Sequence, residues 1–236
     1  PVTHENFRQW VIEDNFCAGR PAWDKAGATF CDDVHAHEMM KIRLLNGGHQ
    51  LVANAGELLS VQFIAECLAH PVIRAYFRKT CSEDIVPHVP NVPDMSSTAY
   101  LDLVDNRFSN PQIVDTVRRV AFDGSSRHTG FLLPTIHDAM KSDCSIEGLA
   151  LSQAVWARMC CGRREDGSII EPNDPMSKTL ESAAIAAKSD PAAWLNQTKL
   201  YGDLGSEPRF AECVARWLRL IRDEGTQSAL QTNVDK

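Results

Sequence analysis

Between Phe7 and Val34 the apolar residues fall in short runs rather than at helical spacing. Arg8 to Glu13 and Ala28 to Cys31 lean towards strands, and the turn-rich Ala18-Gly19-Arg20-Pro21 separates them. From about residue 35 apolar positions recur every three or four residues. That spacing predicts helices at 36–46, 49–69, 72–87, 97–108, 111–123, 131–141 and 146–161. Asn110-Pro111, Asp174-Pro175 and Asp190-Pro191 each set a capping side chain before a proline at a first helical position, and Ser206-Glu207-Pro208 is a near variant. The last of these opens the clearest amphipathic stripe, Phe210, Val214, Trp217, Leu218 and Ile221. Segment 163–173 is polar enough for an exposed loop, and the tail from about Thr226 is expected to fray.

The pattern as a whole predicts a mainly α protein: a helical domain over 35–236, with a short β segment at 1–34. Two strands do not stand alone, so residues 1–34 are expected to be the strand tail of a missing neighbouring domain. A chain that starts at Pro1 rather than Met points the same way.

Composition narrows the partners. The 236 residues, 44% of them hydrophobic, can build a self-sufficient core. Lys and Arg number 24 against 31 Asp and Glu, a net charge of −7, which disfavours a nucleic-acid or anionic-membrane partner. No apolar run approaches the ~20 residues of a membrane span, and the first residues lack the regions of a signal peptide, so a cytoplasmic location is expected. Eight cysteines without a C-x-x-C pair read as reduced core thiols. No G-x-S-x-G elbow is present, and Cys160-Cys161 falls in an apolar helix rather than at an electropositive helix start, so acyl transfer is disfavoured.

The richest stretch for chemistry is Glu38-x-x-Lys41-x-x-x-x-Asn46-Gly47-Gly48-His49. At about 100° per residue Glu38 and Lys41 are helical neighbours, as are Asn46 and His49; all four border one cleft if the helix is continuous. Gly47-Gly48 costs roughly 1 kcal/mol per glycine inside a helix, so something must gain from the missing side chains, and close approach of a substrate or another backbone is the expected reason. Taken singly, each residue has an ordinary structural role: a surface lysine, a helix cap, a hydrogen-bonded histidine.

These residues carry a resemblance. Phe7-Arg8-Gln9-Trp10-Val11-Ile12-Glu13-Asp14-Asn15-Phe16, Gly19-Arg20-Pro21-Ala22-Trp23, and Met40-Lys41-Ile42-Arg43-Leu44-Leu45-Asn46-Gly47-Gly48-His49 resemble the mannitol dehydrogenase family of polyol-specific long-chain dehydrogenases. Ala121-Phe122-Asp123-Gly124-Ser125-Ser126-Arg127 and Asp174-Pro175-Met176 extend the likeness along the chain. The resemblance implies the C-terminal half of such an enzyme, with a Rossmann-like half absent. NAD or NADP would be bound mainly by that half, since no G-x-G-x-x-G follows a strand here, and this chain alone would be inactive.

The resemblance also implies roles. Oxidising a secondary alcohol needs a base for the hydroxyl proton and donors for the alkoxide-like oxygen. Without a metal, a buried amine of lowered pKa serves both ends of the reaction. Lys41 would be that acid/base, Asn46 the donor, His49 the group that orients the substrate, and Glu38 the route of the proton to solvent. Arg119 and Arg127 would reach distal hydroxyls or a carboxylate, and a bidentate guanidinium makes a hexuronate such as fructuronate the favoured substrate over neutral fructose. Two other readings compete: a metal hydrolase using His35, His37, Glu38 and His49, and a helical interaction module of the same fold without catalysis.

Overall fold

The computed structural model describes Glu5 and residues 7–236; the rest of the expected strand tail, 1–4 and 6, lies outside the described residues. Strands β1 (Val11–Glu13) and β2 (Thr29–Cys31) pair in parallel, Val11 opposite Thr29 and Glu13 opposite Cys31. From His35 onward the chain is helical. Helix α1 (His35–Met40) runs through a π-helical segment, Lys41–Asn46, directly into α2 (Gly47–Leu58). There follow α3 (Ile64–Ala69), α4 (Pro71–Thr80), α5 (Ser97–Phe108), the short α6 (Val117–Val120) and α7 (Gly124–Arg127), α8 (Leu133–Lys141) and α9 (Glu147–Cys160). The chain ends in α10 (Ser177–Ala186), the short α11 (Ala192–Leu195) and α12 (Thr198–Tyr201), α13 (Pro208–Glu224) and α14 (Thr226–Asp235). Two further π segments, Cys81–Ile85 and His128–Leu132, follow α4 and precede α8. The mainly α architecture expected from the periodicity is the one observed.

Helices α2 and α9 form the centre and pack on each other. Every residue from Gly148 to Ala157 in α9 is buried, and in α2 every residue except His49. Helices apolar all round belong inside. Along α9 lies α13, burying Phe210, Val214, Trp217 and Ile221, while Leu218 from the same stripe stays half-buried at its edge. Buried Asp84 accepts bonds from Gly148 N–H (2.7 Å) and Leu149 N–H (3.0 Å), placing a carboxyl at the α9 N-terminus, where unpaired N–H groups need acceptors.

Several sequence expectations change. The helix expected over 49–69 breaks after Leu58: Ser60 takes a left-handed φ of 61°, and Cys67 of α3 packs back so tightly on Gly56 that a Cβ there would lie 2.4 Å from its Sγ. The helix expected over 111–123 does not start at Asn110-Pro111. Asn110 makes its capping-type bond, to Gln112 N–H at 3.0 Å, but this closes a local turn. Residues 113–115 instead turn, Asp115 N–H bonding to the Ile113 carbonyl. Thr116 pairs with Phe63, Ile64 N–H bonds to the Asp115 carbonyl, and the helix begins when Thr116 Oγ1 caps Arg119 N–H at 3.2 Å. All eight cysteines are free, yet only Cys67, Cys81 and Cys213 are buried, and Cys17 is exposed. The 163–173 loop is held down by Arg164, whose guanidinium meets buried Glu57 at 2.5 Å. Nor does the tail fray: α14 packs on α4 and α13 with Leu230 fully buried.

The room left by Gly47-Gly48 is taken mainly by side chains, with the Phe131 carbonyl also 3.7 Å from where a Gly47 Cβ would sit. A Cβ on Gly48 would lie 2.7 Å from the Phe77 ring and one on Gly47 would lie 3.1 Å from Leu132 Cδ2. Gly48→Ala therefore gains about 1 kcal/mol of helix propensity but overpacks a fully buried ring, which costs about 1–3 kcal/mol. A lower melting temperature is expected; a higher one would show that Phe77 moves aside freely.

Candidate functional site

The π segment sets the register of the candidate residues. In an α-helix Lys41 and Asn46 would point about 140° apart, at 100° per residue. A π-turn bonds residue i to i+5, as Gly47 N–H does to the Ile42 carbonyl, and so brings residue i+5 round towards the face of residue i. Lys41 opens the segment and Asn46 closes it, and His49 follows in the first turn of α2. The helix is continuous, as the spacing argument required, but by π geometry. Nothing in the apolar pattern announces a π segment.

None of the three side chains of Lys41, Asn46 and His49 has a hydrogen-bond partner among the described residues. Lys41 is exposed, contrary to the burial expected of it, and Asn46 and His49 are half-buried. Glu38, also exposed, sits 3.8 Å from His35 Nδ1, its one close ionic partner among the described residues. The metal-hydrolase quartet is not assembled: His37 is buried and bonded through Nε2 to Asp94 Oδ1 at 2.7 Å, while His35 faces solvent.

His49 lines a cleft of about 270 Å³ with Leu45, Arg107, Phe108, Asp115 and Arg119. Its imidazole stacks on the Phe108 ring, centroids 4.1 Å apart and planes 16° from parallel. Burial pulls the His49 pKa down to about 4; Arg119, Arg127 and Arg107 push it the same way, against Asp115. The ring is neutral near pH 7, able to donate from one nitrogen and accept at the other.

Arg119 and Arg127 converge electrostatically on His49 but differ in commitment. Arg119 is forked onto Asp115, with Nε to Oδ1 at 2.7 Å and Nη2 on Oδ2, though its side chain is 65% exposed. Arg127 donates from Nη1 to the Val120 carbonyl at 2.8 Å, closing the end of α6, and does not line the cleft. Sequence reasoning missed Asp115, Arg107 and Phe108, which are near His49 only because α5 and the turn at 113–116 pack there. Arg107 also clamps the N-terminal segment, holding Glu5 through bonds of 2.9 and 2.7 Å and lying 4.4 Å over the Phe7 ring.

The two remaining motifs meet each other. Ser125 donates its N–H (2.7 Å) and hydroxyl (2.8 Å) to the Asp174 carboxylate, and Asp123 N–H bonds to the Asn173 carbonyl. A Cβ on Gly124 would lie 2.7 Å from Trp156 Nε1, so the 121–127 turn is pressed onto α9. Trp156 in turn stacks on His128, whose ring is held between the side-chain amides of Asn54 (2.7 Å) and Gln153 (3.0 Å). Burial draws the His128 pKa down to about 3.

Both histidines are neutral in the fold and protonate near pH 6.5 when unfolded, so the unfolded chain binds more protons below that pH. Their contribution is complete above pH 6.5 and is lost as pH falls towards 4 for His49 and 3 for His128. Between pH 6 and 5 each should remove roughly 1 kcal/mol of stability. Urea midpoints across that window check this, and His49→Gln should flatten the dependence by about half.

Residues 33–221 match the family described as the mannitol dehydrogenase C-terminal domain. The chain belongs to this family. It is 46% identical over 231 residues to mannitol 2-dehydrogenase of Cereibacter sphaeroides, covering 98% of this chain and 48% of that protein. A mannitol 2-dehydrogenase of Aspergillus terreus is 32% identical across 100% of this chain and 48% of its own length. Among solved structures, Pseudomonas fluorescens mannitol 2-dehydrogenase, in ternary complex with NAD and D-mannitol, superposes with a TM-score of 0.87 at 34% identity over 98% of this chain and 47% of that one. A D-sorbitol dehydrogenase in substrate-free form gives 0.86 at 27% identity over 95% and 46%. The chain thus spans about half the length of the mannitol dehydrogenase family relatives it matches.

Proposed function

We propose that this chain is the substrate-binding and catalytic part of a nicotinamide-dependent polyol dehydrogenase, interconverting a neutral sugar alcohol such as mannitol and its ketose. What supports the reading is the run of three polar side chains along one helix, Lys41, Asn46 and His49, unpartnered among the described residues in a member of this family. Of the four residues expected to border one cleft only His49 lines it; Lys41, Asn46 and Glu38 do not, but polar side chains without protein partners beside such a cleft are available to a ligand.

In the forward reaction Lys41 Nζ takes the hydroxyl proton, and returns it to the carbonyl oxygen in reduction. Asn46 donates its amide N–H to the oxygen as charge develops. Neutral His49, fixed flat by Phe108, bonds a substrate hydroxyl and orients the reacting carbon. Glu38, being exposed, exchanges the proton with solvent. When bound, a nicotinamide dinucleotide, NAD by likeness to the solved complex, would supply the hydride acceptor, while the residues of this chain hold and orient the alcohol. No glycine-rich strand-to-helix turn here cradles a pyrophosphate, so the dinucleotide belongs to a Rossmann-like partner half, to which residues 1–34 would contribute their strands. On this reading that half also covers Lys41, and the chain by itself is inactive.

The substrate is read as neutral because Asp115 already occupies the fork of Arg119 and Arg127 does not line the cleft. A carboxylate arriving beside Asp115 would meet a like charge. This reverses the preference for fructuronate that the two arginines alone suggested. Steady-state assays of the enzyme carrying this domain should give a higher kcat/KM for fructose than for fructuronate; the opposite order would restore the hexuronate reading, and activity on neither would sink both.

A further inference from the structure

A second cleft, of about 440 Å³, opens between the C-terminal end of α9, α10 and α13, and it shares no lining residue with the cleft at His49. Its floor is apolar: Ala157, Ala184, Ala187 and Ile221 are buried and Leu218 is half-buried. Three alanines from two neighbouring helices and the turn after α10 leave the hollow, since any larger side chain there would fill it. Its rim is cationic, with Arg158, Arg163, Lys188, Arg219 and Arg222 against a single lining acid, Glu165.

That acid is already committed. Glu165 Oε1 accepts from Thr226 Oγ1 at 2.5 Å at the start of α14, and it also faces Arg158 Nε at 3.7 Å. Arg222 forks onto neighbouring Asp223 (2.8 and 3.1 Å), and Arg163 donates to the Gly167 carbonyl (2.9 Å). The side-chain nitrogens of Lys188 and Arg219 donate no hydrogen bond to any described residue. In a chain of net charge −7, five cations gathered around one apolar hollow are a local reversal of sign. The volume lies within the range of small-molecule sites, and a greasy floor with a few charged groups at its edge is the make-up of such sites.

We propose that this cleft binds a small organic anion, a carboxylate, sulfonate or phosphate ester with an aromatic or short aliphatic body. The body lies on the alanine floor and the anionic head meets Lys188 and Arg219.

The probe is 8-anilinonaphthalene-1-sulfonate, titrated by fluorescence and calorimetry into the enzyme carrying this domain, alongside its uncharged counterpart N-phenyl-1-naphthylamine. Saturable binding of one sulfonate per chain is expected, weakened by salt, competed by phenyl phosphate, and not displaced by fructose or dinucleotide. Lys188→Glu with Arg219→Glu should lower the affinity at least tenfold. Both side chains are exposed, so the circular dichroism and the polyol turnover should be unchanged. Equal affinity for the neutral compound, indifference to charge reversal, displacement by fructose or dinucleotide, or no saturable binding would each overturn the proposal. Should the double variant misfold, Lys188→Gln alone, with an expected loss of a few fold, decides the same point.

Discussion

Lys41→Ala, in the enzyme that carries this domain together with the proposed dinucleotide-binding half, is expected to lower turnover by about two to four powers of ten, the usual contribution of a positioned general acid/base. Lys41 is exposed and bonded to nothing else among the described residues, so its removal leaves no buried partner unsatisfied and should shift the melting temperature little. The effect should fall on kcat more than on KM, because in the proposed role the amine acts on the proton in flight rather than on bound hydroxyls. Lys41→Arg should not restore the rate, since a guanidinium does not give up its proton. A small primary amine added to the Lys41→Ala enzyme should recover part of the lost turnover. A Lys41→Ala enzyme with near-normal turnover on mannitol or fructose would remove Lys41 from the mechanism.

Leu230→Ala is expected to cost about 2–5 kcal/mol, the range for truncating a fully buried leucine, and to lower the melting temperature by roughly 4–20 °C for a chain of this size. The last helix is an integral wall: Ala229 and Leu230 have no exposed surface, and Lys79 Nζ donates to the Val234 carbonyl at 3.4 Å. Deleting 226–236 would also uncover the faces of α4 and α13 that α14 covers and free Glu165 from Thr226, so the truncated chain should lose cooperative unfolding. Calorimetry distinguishes the outcomes, and an unchanged transition would mean that α14 is held only loosely.

Much of the helical fold was legible because it depends on local spacing. Helix α5 at Ser97–Phe108 coincides with its expected range, α9 lies within a residue of its own, and α13 starts at the expected Pro208, since continuous apolar runs or stripes and prolines at first turns are properties of neighbouring residues. The breaks were less legible. Ser60 interrupts a helix whose apolar spacing continues through it, and the helix expected from Pro111 begins only at Val117, because α3 had to fold back on Gly56 and Thr116 had to pair with Phe63. The expected fraying of the tail failed for a related reason: Thr226–Asp235 is polar enough to look loose, and only the groove between α4 and α13 makes its few apolar residues a core.

The chemistry divides in the same way. Sequence by itself determined which groups are present: one amine, one amide and one imidazole at spacings of five and three, and two arginines eight apart. Tertiary structure decided what those groups are free to do. The π segment turned a spacing of five into a shared face, and Asp115, brought in from the turn before α6, took the fork of Arg119. Phe77 and Leu132 occupied the room that Gly47 and Gly48 leave, and burial against Phe108 made His49 a neutral ring. Such outcomes depend on distance and dielectric between residues far apart in the chain, and spacing along the chain carries information about neither.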